Sequence, residues 1–273
     1  MKYRYSGILL AGMLQLPAVF FSATQAADFS GAFSTGVSAA PLYTGSSHYV
    51  VSPLLGYDMR MHDDALGTIA LSDGTLVWGL PMNSAWGIAL LLGYDEGRDE
   101  IIKTGMIHRH KHNDLKGMGD LKGTLTRGIK LSYALDESEI YVIGSQAFKK
   151  REYGGEALGR TLSIEAGIEG HSLLTEKLTA QWGVSTTWYN QGRMQANFGV
   201  SEIQSMQTTF TPYRPGSGIA QVTFKTGIYY QLTSSLSLIA NVQTYYLPDS
   251  AKESPLVSNR WNTISSLGVQ YHF

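Results

Sequence analysis

Apolar and polar residues alternate along the last third of the chain. The pattern runs through 178–188, 220–232, 236–246 and 266–273, with apolar residues at every second position. Successive side chains of a strand point to opposite faces, so this period of two predicts strands with one apolar face. Strands of soluble sheets average about five or six residues, and runs about twice as long are typical of membrane-spanning strands. In the run 220–232, the apolar face would carry Ala220, Val222, Phe224, Thr226, Ile228, Tyr230 and Leu232.

Applied to the whole chain, the same criteria predict twelve strands. Bacterial barrels have an even number of strands, short periplasmic turns and long outer loops. Merging the two short strands on either side of Asp73-Gly74 would leave eleven strands, which is an odd number. The dipeptide Asp73-Gly74 is also a strong hairpin signal, so we keep the two strands separate. We therefore predict an all-β, antiparallel barrel of twelve strands, with ten as the alternative. The strands are 29–38, 48–60, 66–72, 75–81, 85–95, 120–134, 139–149, 160–171, 177–190, 219–232, 235–247 and 262–273, and the long connections 96–119, 150–159, 191–218 and 248–261 fall outside.

Aromatic residues lie near the ends of these strands. Amphipathic rings favour the level of the lipid headgroups, so we expect them to form interface girdles, with a sugar-binding platform as the alternative. Arg127 conflicts with the pattern, because it falls on the apolar face of 120–134. Either the register slips there or Arg127 lies near the rim. The girdle residues are Tyr94, Trp188, Tyr189, Tyr245, Tyr246, Trp261, Tyr271 and Phe273.

The N-terminus has the three parts of a secretory signal peptide. Two basic residues precede an apolar stretch over 7–21, and Thr24-Gln25-Ala26 offers small residues to a signal peptidase. The apolar stretch is shorter than the roughly 20 residues of a spanning helix. We expect 1–26 to be a cleaved signal peptide, with cleavage after Ala27 as the alternative, and 27–273 to form the transmembrane barrel.

Composition narrows the function class. The mature chain would carry 19 basic residues (21 minus the two in the signal peptide) against 22 acidic ones, which is not the basic footprint of a nucleic-acid binder. The chain has no cysteine, which excludes disulfide and thiol chemistry. Past residue 27 no apolar run is long enough for a spanning helix. A membrane-spanning chain without helices must close into a barrel, since lipid offers no partner for open strand edges.

Short segments spread over most of the mature chain resemble the MipA/OmpV family, the MltA-interacting outer-membrane proteins. Asn197 departs from the aromatic residue usual in the family, and the histidine-rich run 108–113 is not a family feature. The segments that carry the resemblance are Pro41-Leu42-Tyr43-Thr44-Gly45-Ser46, Gly97-Arg98, Leu115-Lys116-Gly117-Met118-Gly119-Asp120, Asn197-Phe198-Gly199-Val200-Ser201, Gln204-Ser205, Ser254-Pro255-Leu256-Val257 and Gly268-Val269-Gln270-Tyr271-His272-Phe273.

The resemblance implies an integral protein of the outer membrane of a Gram-negative bacterium, tied to the peptidoglycan (murein) machinery. The best-known member is a scaffold for a lytic transglycosylase and a penicillin-binding protein, and we expect both as partners, beside outer-membrane lipid and lipopolysaccharide. We expect their contacts on the periplasmic turns and the lumen mouth. A fold hosts many functions, so a small-solute channel and a surface adhesin are the alternatives.

The histidines are the first candidates for catalysis. His171 and Ser172 are neighbours on one predicted strand and therefore point to opposite faces. His48 lies beside Ser46 and Ser47 in a loop, without an obvious acid. We therefore predict no catalytic residue, no cofactor and no enzymatic activity.

A second candidate is the run of alternating histidines His108, His110 and His112, which would share one side of an extended loop. Imidazoles ligate zinc, copper or nickel, but Arg109 and Lys111 add positive charge between them. We expect a solvated loop and no metal site, with contact to anionic lipopolysaccharide as the alternative.

The polar strand faces would line the lumen with charges. Inward charges are normal in barrels, and we expect them to pair across the interior. Barrels of about eight strands are filled by side chains and those of about sixteen are open, so a filled lumen and a narrow pore both fit this chain. The inward charges are Lys122, Lys130, Glu165, Glu169, Lys225 and His272.

Overall fold

The computed structural model describes residues 28–105 and 110–273, and in it twelve antiparallel strands close into a barrel. Each strand pairs with its neighbour along the chain, and the first pairs with the last. The predicted all-β class and strand count are confirmed. The barrel strands are β1 (Asp28–Pro41), β2 (Tyr49–Asp63), β3 (Gly67–Ser72), β4 (Thr75–Gly79), β5 (Trp86–Arg98), β8 (Leu121–Leu135), β9 (Ser138–Ala147), β12 (Leu162–Thr175), β13 (Leu178–Tyr189), β14 (Gly218–Gln231), β15 (Leu236–Tyr246) and β16 (Trp261–His272).

The remaining elements lie in the long connections, where sequence patterning predicted only loops. In the part of the connections that the structure describes, two hairpins and three short helices form. They are β6 (Ile102–Thr104) with β7 (His110–His112), β10 (Arg151–Tyr153) with β11 (Glu156–Gly159), α1 (Gln191–Phe198), α2 (Glu202–Gln207) and α3 (Asp249–Lys252). No helix within 28–105 and 110–273 is long and apolar enough to cross a membrane. The predicted signal peptide, 1–26, lies outside the described residues.

The barrel has two unlike ends. The turn end carries the short connections 64–66, 80–85, 136–137, 176–177 and 232–235. The loop end carries the long connections 42–48, 99–120, 148–161, 190–217 and 247–260. Short turns of bacterial outer-membrane barrels face the periplasm and long loops face outward, so the turn end is the periplasmic one.

The hairpin of β3 and β4 lowers the barrel wall locally. Asp73 and Gly74 have φ values of 43° and 83°, and positive φ at both central positions is what a type I′ hairpin turn requires. The strand β2 pairs with β1 along its whole length but with β3 only from Asp58 onward. The hairpin therefore turns back well below the loop end.

The strand β12 is longer than predicted. It continues to Thr175, four residues beyond the expected end at 171, and its register with β13 shifts between Leu173 and Thr175. Leu173 and Leu174 are both exposed at the turn end. Leu173 still pairs with Thr179 on the face of buried Gln181, and the shift passes over Leu174, the extra residue of the bulge.

A second bulge moves Ala220 from the face on which the alternation places it. Thr187 of β13 pairs with Gln221 and Trp188 pairs with Ile219, so the register passes over Ala220. Ala220 is fully buried inside the barrel, whereas Ile219 is exposed on the outside. The period of two predicts Ala220 on the outer face with Val222, which is wrong for this residue because a bulge inserts one position into the count.

Aromatic rings gather at both rims, as expected. At the turn end, the ring of the C-terminal Phe273 lies 5.4 Å from that of Phe33, and at the loop end Tyr246 lies 4.8 Å from Trp261. Tyr189 and Tyr245 are the exceptions, because they face inward and pack in the apolar core. Tyr189 follows the outward-facing Trp188, and Tyr245 precedes the outward-facing Tyr246. Neighbouring residues of a strand point to opposite faces.

Arg127 faces outward without a slip of register. It pairs with Leu92 and Gln146, and its guanidinium lies 5.5 Å from the ring of Phe148 just beyond the end of β9. Of the two interpretations of Arg127, a slip of register and a position near the rim, the second is therefore correct. Long basic side chains at this level extend toward the headgroups.

Changing an outward-facing valine to lysine tests the placement of the strands in the membrane. Val184 is exposed to lipid near the middle of β13, and Val51 is exposed near the loop end of β2. A lysine at the bilayer centre costs about 2–4 kcal/mol and one near the interface about 0–1 kcal/mol. We expect Val184→Lys to lower the unfolding free energy in lipid vesicles by the larger amount and Val51→Lys by the smaller. Equal losses would contradict this placement.

Candidate functional site

The long connections pack into a folded cap over the loop end. In one apolar cluster, Met194 and Phe198 of α1 and Ala251 of α3 pack against inward residues of the barrel wall, including Tyr245 and Ile264. All five are buried. The helix α1 therefore enters the mouth of the barrel instead of projecting from it.

A second apolar cluster joins the connections to one another. Leu115, Met118, Val200 and Leu256 come from three different connections, and each is at most 1% exposed. Close packing of buried side chains makes the cap a single folded unit. We call the connections 42–48, 99–120, 148–161, 190–217 and 247–260 together the cap.

The carboxylate of Asp95 anchors the cap to the wall. Its Oδ2 accepts hydrogen bonds from Arg151 of β10 and Arg193 of α1, each at 2.9 Å, and its Oδ1 accepts one from the backbone N–H of Gly97. Burial alone would lower the pKa of Arg193, but Tyr189 and Asp95 raise it above its ordinary value. The arginine therefore stays charged, and a largely buried network of one carboxylate and two guanidinium groups holds α1 in the mouth.

Both ends of α1 are also fixed. At its start, the Asn190 side chain accepts from the N–H of Arg193 and also from that of Leu162 on β12. At its end, Arg98 donates to the carbonyls of Ala196 and Asn197. These carbonyls have no partner within the helix, and a cation suits their negative dipole end.

The helix α2 is tied to two other connections. Ser201 and Gln204 form a capping box around its first turn. The same two side chains donate outward, Ser201 Oγ to the carbonyl of Gly154 at 2.6 Å and Gln204 Nε2 to that of Met118 at 2.7 Å. Each residue therefore caps the helix and joins it to a neighbouring connection.

The segments that carry the family resemblance meet in this cap. Arg98 contacts 196–197, Gln204 contacts Met118, and Ser254 Oγ donates to the carbonyl of Phe198 at 2.6 Å. In the first connection, the N–H of Gly45 donates to the side chain of Asn262 on β16. Segments far apart in sequence thus form one contact network, and only the C-terminal segment lies elsewhere, at the turn end.

Charges inside the barrel pair across strands, as expected. Lys130 contacts Glu139 and lies 3.8 Å from Glu169, and Lys225 lies 3.9 Å from Glu165. Tyr141 donates to Glu165 at 2.7 Å. Of the other predicted inward charges, Lys122 is exposed at the loop end, and His272 lies 3.4 Å from Ser237 at the turn end. Ion pairs between nearby strands therefore line the lumen wall from β8 to β14.

The structure gives His48 the acid that the sequence did not reveal. Its Nδ1 contacts the carboxylate of Asp114, which comes from a connection more than sixty residues away. Ser46 Oγ instead accepts from the backbone N–H of His48, and Ser47 Oγ lies 3.2 Å from Ser258 Oγ. Within the described residues, neither serine hydroxyl is bonded to the imidazole, which is the contact a catalytic dyad requires.

The described part of the histidine run, His110 and His112, lies in the strand β7. His112 lies 2.9 Å from Thr104, its Nε2 facing the threonine hydroxyl, and His110 is exposed. His108 and Arg109 lie outside the described residues. In 28–105 and 110–273, no group of three or more His, Asp or Glu side chains is placed to hold a metal ion.

The residues that organise the cap were not among the sequence-based candidates. Asp95, Arg151 and Arg193 are charged positions in or beside loops, and nothing in the pattern predicts that they meet. Arg98 and Gln204 were noted only as parts of family motifs. The one sequence signal is the capping pattern of Ser201 and Gln204, which stand at the N-cap and the third position of α2.

Comparison with known proteins gives one family and a set of barrels. The family model described as MltA-interacting protein MipA matches residues 33–273. No curated protein sequence matches the chain detectably.

Solved structures of outer-membrane proteins are similar only at low identity. The translocator domain of the autotransporter NalP from Neisseria meningitidis aligns with a TM-score of 0.45 and 11% identity, covering 92% of this chain and 90% of that one. OmpT, an outer membrane protein of Vibrio cholerae, aligns at 0.40 and 8%, covering 90% and 97%. An anion-selective porin from Comamonas acidovorans aligns at 0.39 and 10%, covering 91% and 99%. TM-scores and sequence identities this low support no conclusion about the function of this chain.

Removing the central carboxylate tests the anchor of the cap. Asp95→Asn leaves the buried guanidinium of Arg151 and the half-buried one of Arg193 without a counter-charge, and breaking a buried pair costs about 3–5 kcal/mol. We expect the free energy of cap opening, measured by hydrogen exchange of the α1 amides, to fall by that amount while the barrel stays folded.

The matched control is Glu156→Gln, which breaks the pair between Glu156 and the largely exposed Arg214 in the same cap. An exposed pair contributes about 0–1 kcal/mol. Equal effects of the two changes would show that Asp95 is not the anchor.

Proposed function

The chain belongs to the family of the MltA-interacting protein MipA, and from this premise we propose that it is an outer-membrane scaffold for peptidoglycan enzymes. Its partners would be a lytic transglycosylase, as the family's name implies, and a penicillin-binding protein. The match over residues 33–273 is the observation that carries the proposal. A scaffold needs no chemistry of its own, only a surface that holds its partners.

Position supports the turn end as that surface. Peptidoglycan enzymes work in the periplasm, which the turn end faces, whereas the cap fills the opposite mouth. The turns are short and emerge from paired strands, so their side chains are held on a rigid frame. Rigid presentation lowers the entropy lost on binding.

The charge of the turn end supports a basic partner surface. Four carboxylates and one basic residue, Lys177, lie in the turns, and two further carboxylates and His62 lie at the adjoining strand ends. Complementary charge steers association and fixes orientation. The carboxylates are Asp28, Asp63, Asp64, Asp136, Glu137 and Glu176.

Surface adhesion is a second candidate, favoured by the outer surface of the cap. Met206 and Ile203 of α2 are 78% and 49% exposed at the loop end. Large apolar side chains on a folded outer surface are a feature of interaction sites. Host-matrix binding that is unchanged in Ile203→Ser/Met206→Ser would count against this candidate.

Charge reversal at the turns tests the scaffold. Asp136, Glu137 and Glu176 are exposed at the turn end. We expect the triple lysine variant, tagged at the N-terminus of the mature chain, to recover about tenfold less transglycosylase from solubilised envelopes, which corresponds to a loss of about 1.4 kcal/mol.

The matched control reverses Glu152, Glu202 and Glu253, three exposed carboxylates of the cap. We expect this variant to recover the enzyme like the unchanged protein. Loss of recovery in the control alone would move the partner surface to the loop end. Absence of any peptidoglycan enzyme from the unchanged bait would overturn the proposal.

Single-channel recording separates the scaffold from a channel. Because α1 is packed into the mouth of the barrel, we expect the purified barrel in a planar bilayer to stay at baseline current over the voltage range in which porins conduct. Stable conductance steps in the unchanged protein would favour a channel.

A further inference from the structure

Four basic residues lie close to one aromatic residue at the loop end of the barrel wall, two in contact with it and two directly after it in the chain. Phe148, Lys149 and Lys150 follow the end of β9, Arg127 lies on neighbouring β8, and Arg160 precedes β12 on the other side. All five side chains are exposed. We call them the rim cluster. They lie where the lipid-facing wall meets the loop end, at the level of the outer leaflet.

Phe148 links the two arginines. The guanidinium of Arg127 lies 5.5 Å from its ring, and Arg160 Nε donates to its carbonyl at 3.2 Å. Arg127 Nη2 also donates to Gln146 Oε1 at 3.2 Å. These contacts orient the guanidinium groups but leave most of their N–H donors unused, because each group carries five.

The rim cluster lacks acidic partners. Within the described chain, none of its four cations forms an ion pair with a carboxylate, although Glu96 and Glu152 are exposed in the same region. By contrast, Lys130 and Lys225 in the lumen and Arg151 and Arg193 in the cap are all paired. The charges inside the barrel are balanced by protein, and those of the rim cluster are left for another molecule.

We infer that the rim cluster binds the phosphate groups of a phosphorylated glycolipid, the lipopolysaccharide of the outer leaflet. Guanidinium groups bind phosphate through paired N–H donors, and lysines add point charges. Arg127 lies on the lipid-facing side of the wall and the other three cations are exposed beside it, so an acyl-anchored phosphate reaches the cluster from the side. A cation on the lipid-facing wall is tolerated near the headgroups, where an anion can neutralise it. This inference rests on the orientation of the barrel and not on the scaffold role.

Titration with lipid A tests the inference. The barrel refolded in neutral detergent is titrated with lipid A carrying both phosphates, and the bound fraction is measured by native mass spectrometry. We expect Arg127→Gln/Arg160→Gln to weaken binding about tenfold or more and the dephosphorylated lipid to bind the unchanged protein as weakly. The matched control is Lys103→Gln/Lys111→Gln, which removes two exposed cations from the hairpin of β6 and β7 and should bind like the unchanged protein.

A second variant covers the case in which Arg127 is needed for folding. Lys149→Gln/Lys150→Gln lies outside the barrel strands and should also weaken binding, while the heat-dependent gel mobility of folded barrels reports the fold of each variant. Unchanged binding in both rim variants would overturn the inference. So would an equal loss in the hairpin control, which would indicate a net-charge effect, or displacement of lipid A by millimolar inorganic phosphate, which would indicate a site for free anions.

Discussion

Every backbone N–H and C=O inside the hydrocarbon of a membrane must find a partner within the protein, and this requirement shapes the whole chain. It is met by closing β1 against β16, so that the sheet has no edge at the seam. The last residue takes part, because Phe273 and Gly31 exchange backbone hydrogen bonds at 3.0 Å. Closure places both ends of the barrel sequence at the turn end and sends every long connection to the opposite end.

Closure also separates two environments that treat charge differently. Inside, Lys130, Lys225 and Asp95 each have partners of opposite charge on other elements. A buried charge without a partner of opposite charge costs free energy, so charged side chains in the interior occur in pairs. Outside, the rim cluster around Phe148 has no acidic partner among the described residues, and the headgroup region supplies the anions it lacks.

The two ends of the barrel divide its tasks. At the loop end, connections far apart in sequence merge into a cap whose apolar clusters and Asp95 network fill the mouth. At the turn end, the short turns present carboxylates toward the periplasm. A protein with a closed outer mouth and an exposed, rigid periplasmic rim suits a role in holding partners better than one in passing solutes.

The sequence by itself determined the barrel. Period-two alternation and the Asp73-Gly74 turn depend only on neighbouring residues, because side-chain direction along a strand and φ at a turn are local properties. Strand count, closure and the outward position of most apolar residues followed from them. The family resemblance came from short motifs, without showing why they occur together.

Tertiary structure alone decided the cap and the exceptions. The contacts of Asp95 with Arg151 and Arg193, and of His48 with Asp114, join residues that no local pattern relates, because each pair is brought together by separate connections. Ala220 faces inward because a bulge inserts one residue into the alternation of the strand. Tyr245 faces inward because its neighbour Tyr246 faces the lipid. Sequence periodicity reports the direction of a side chain, whereas its partner depends on how distant segments pack.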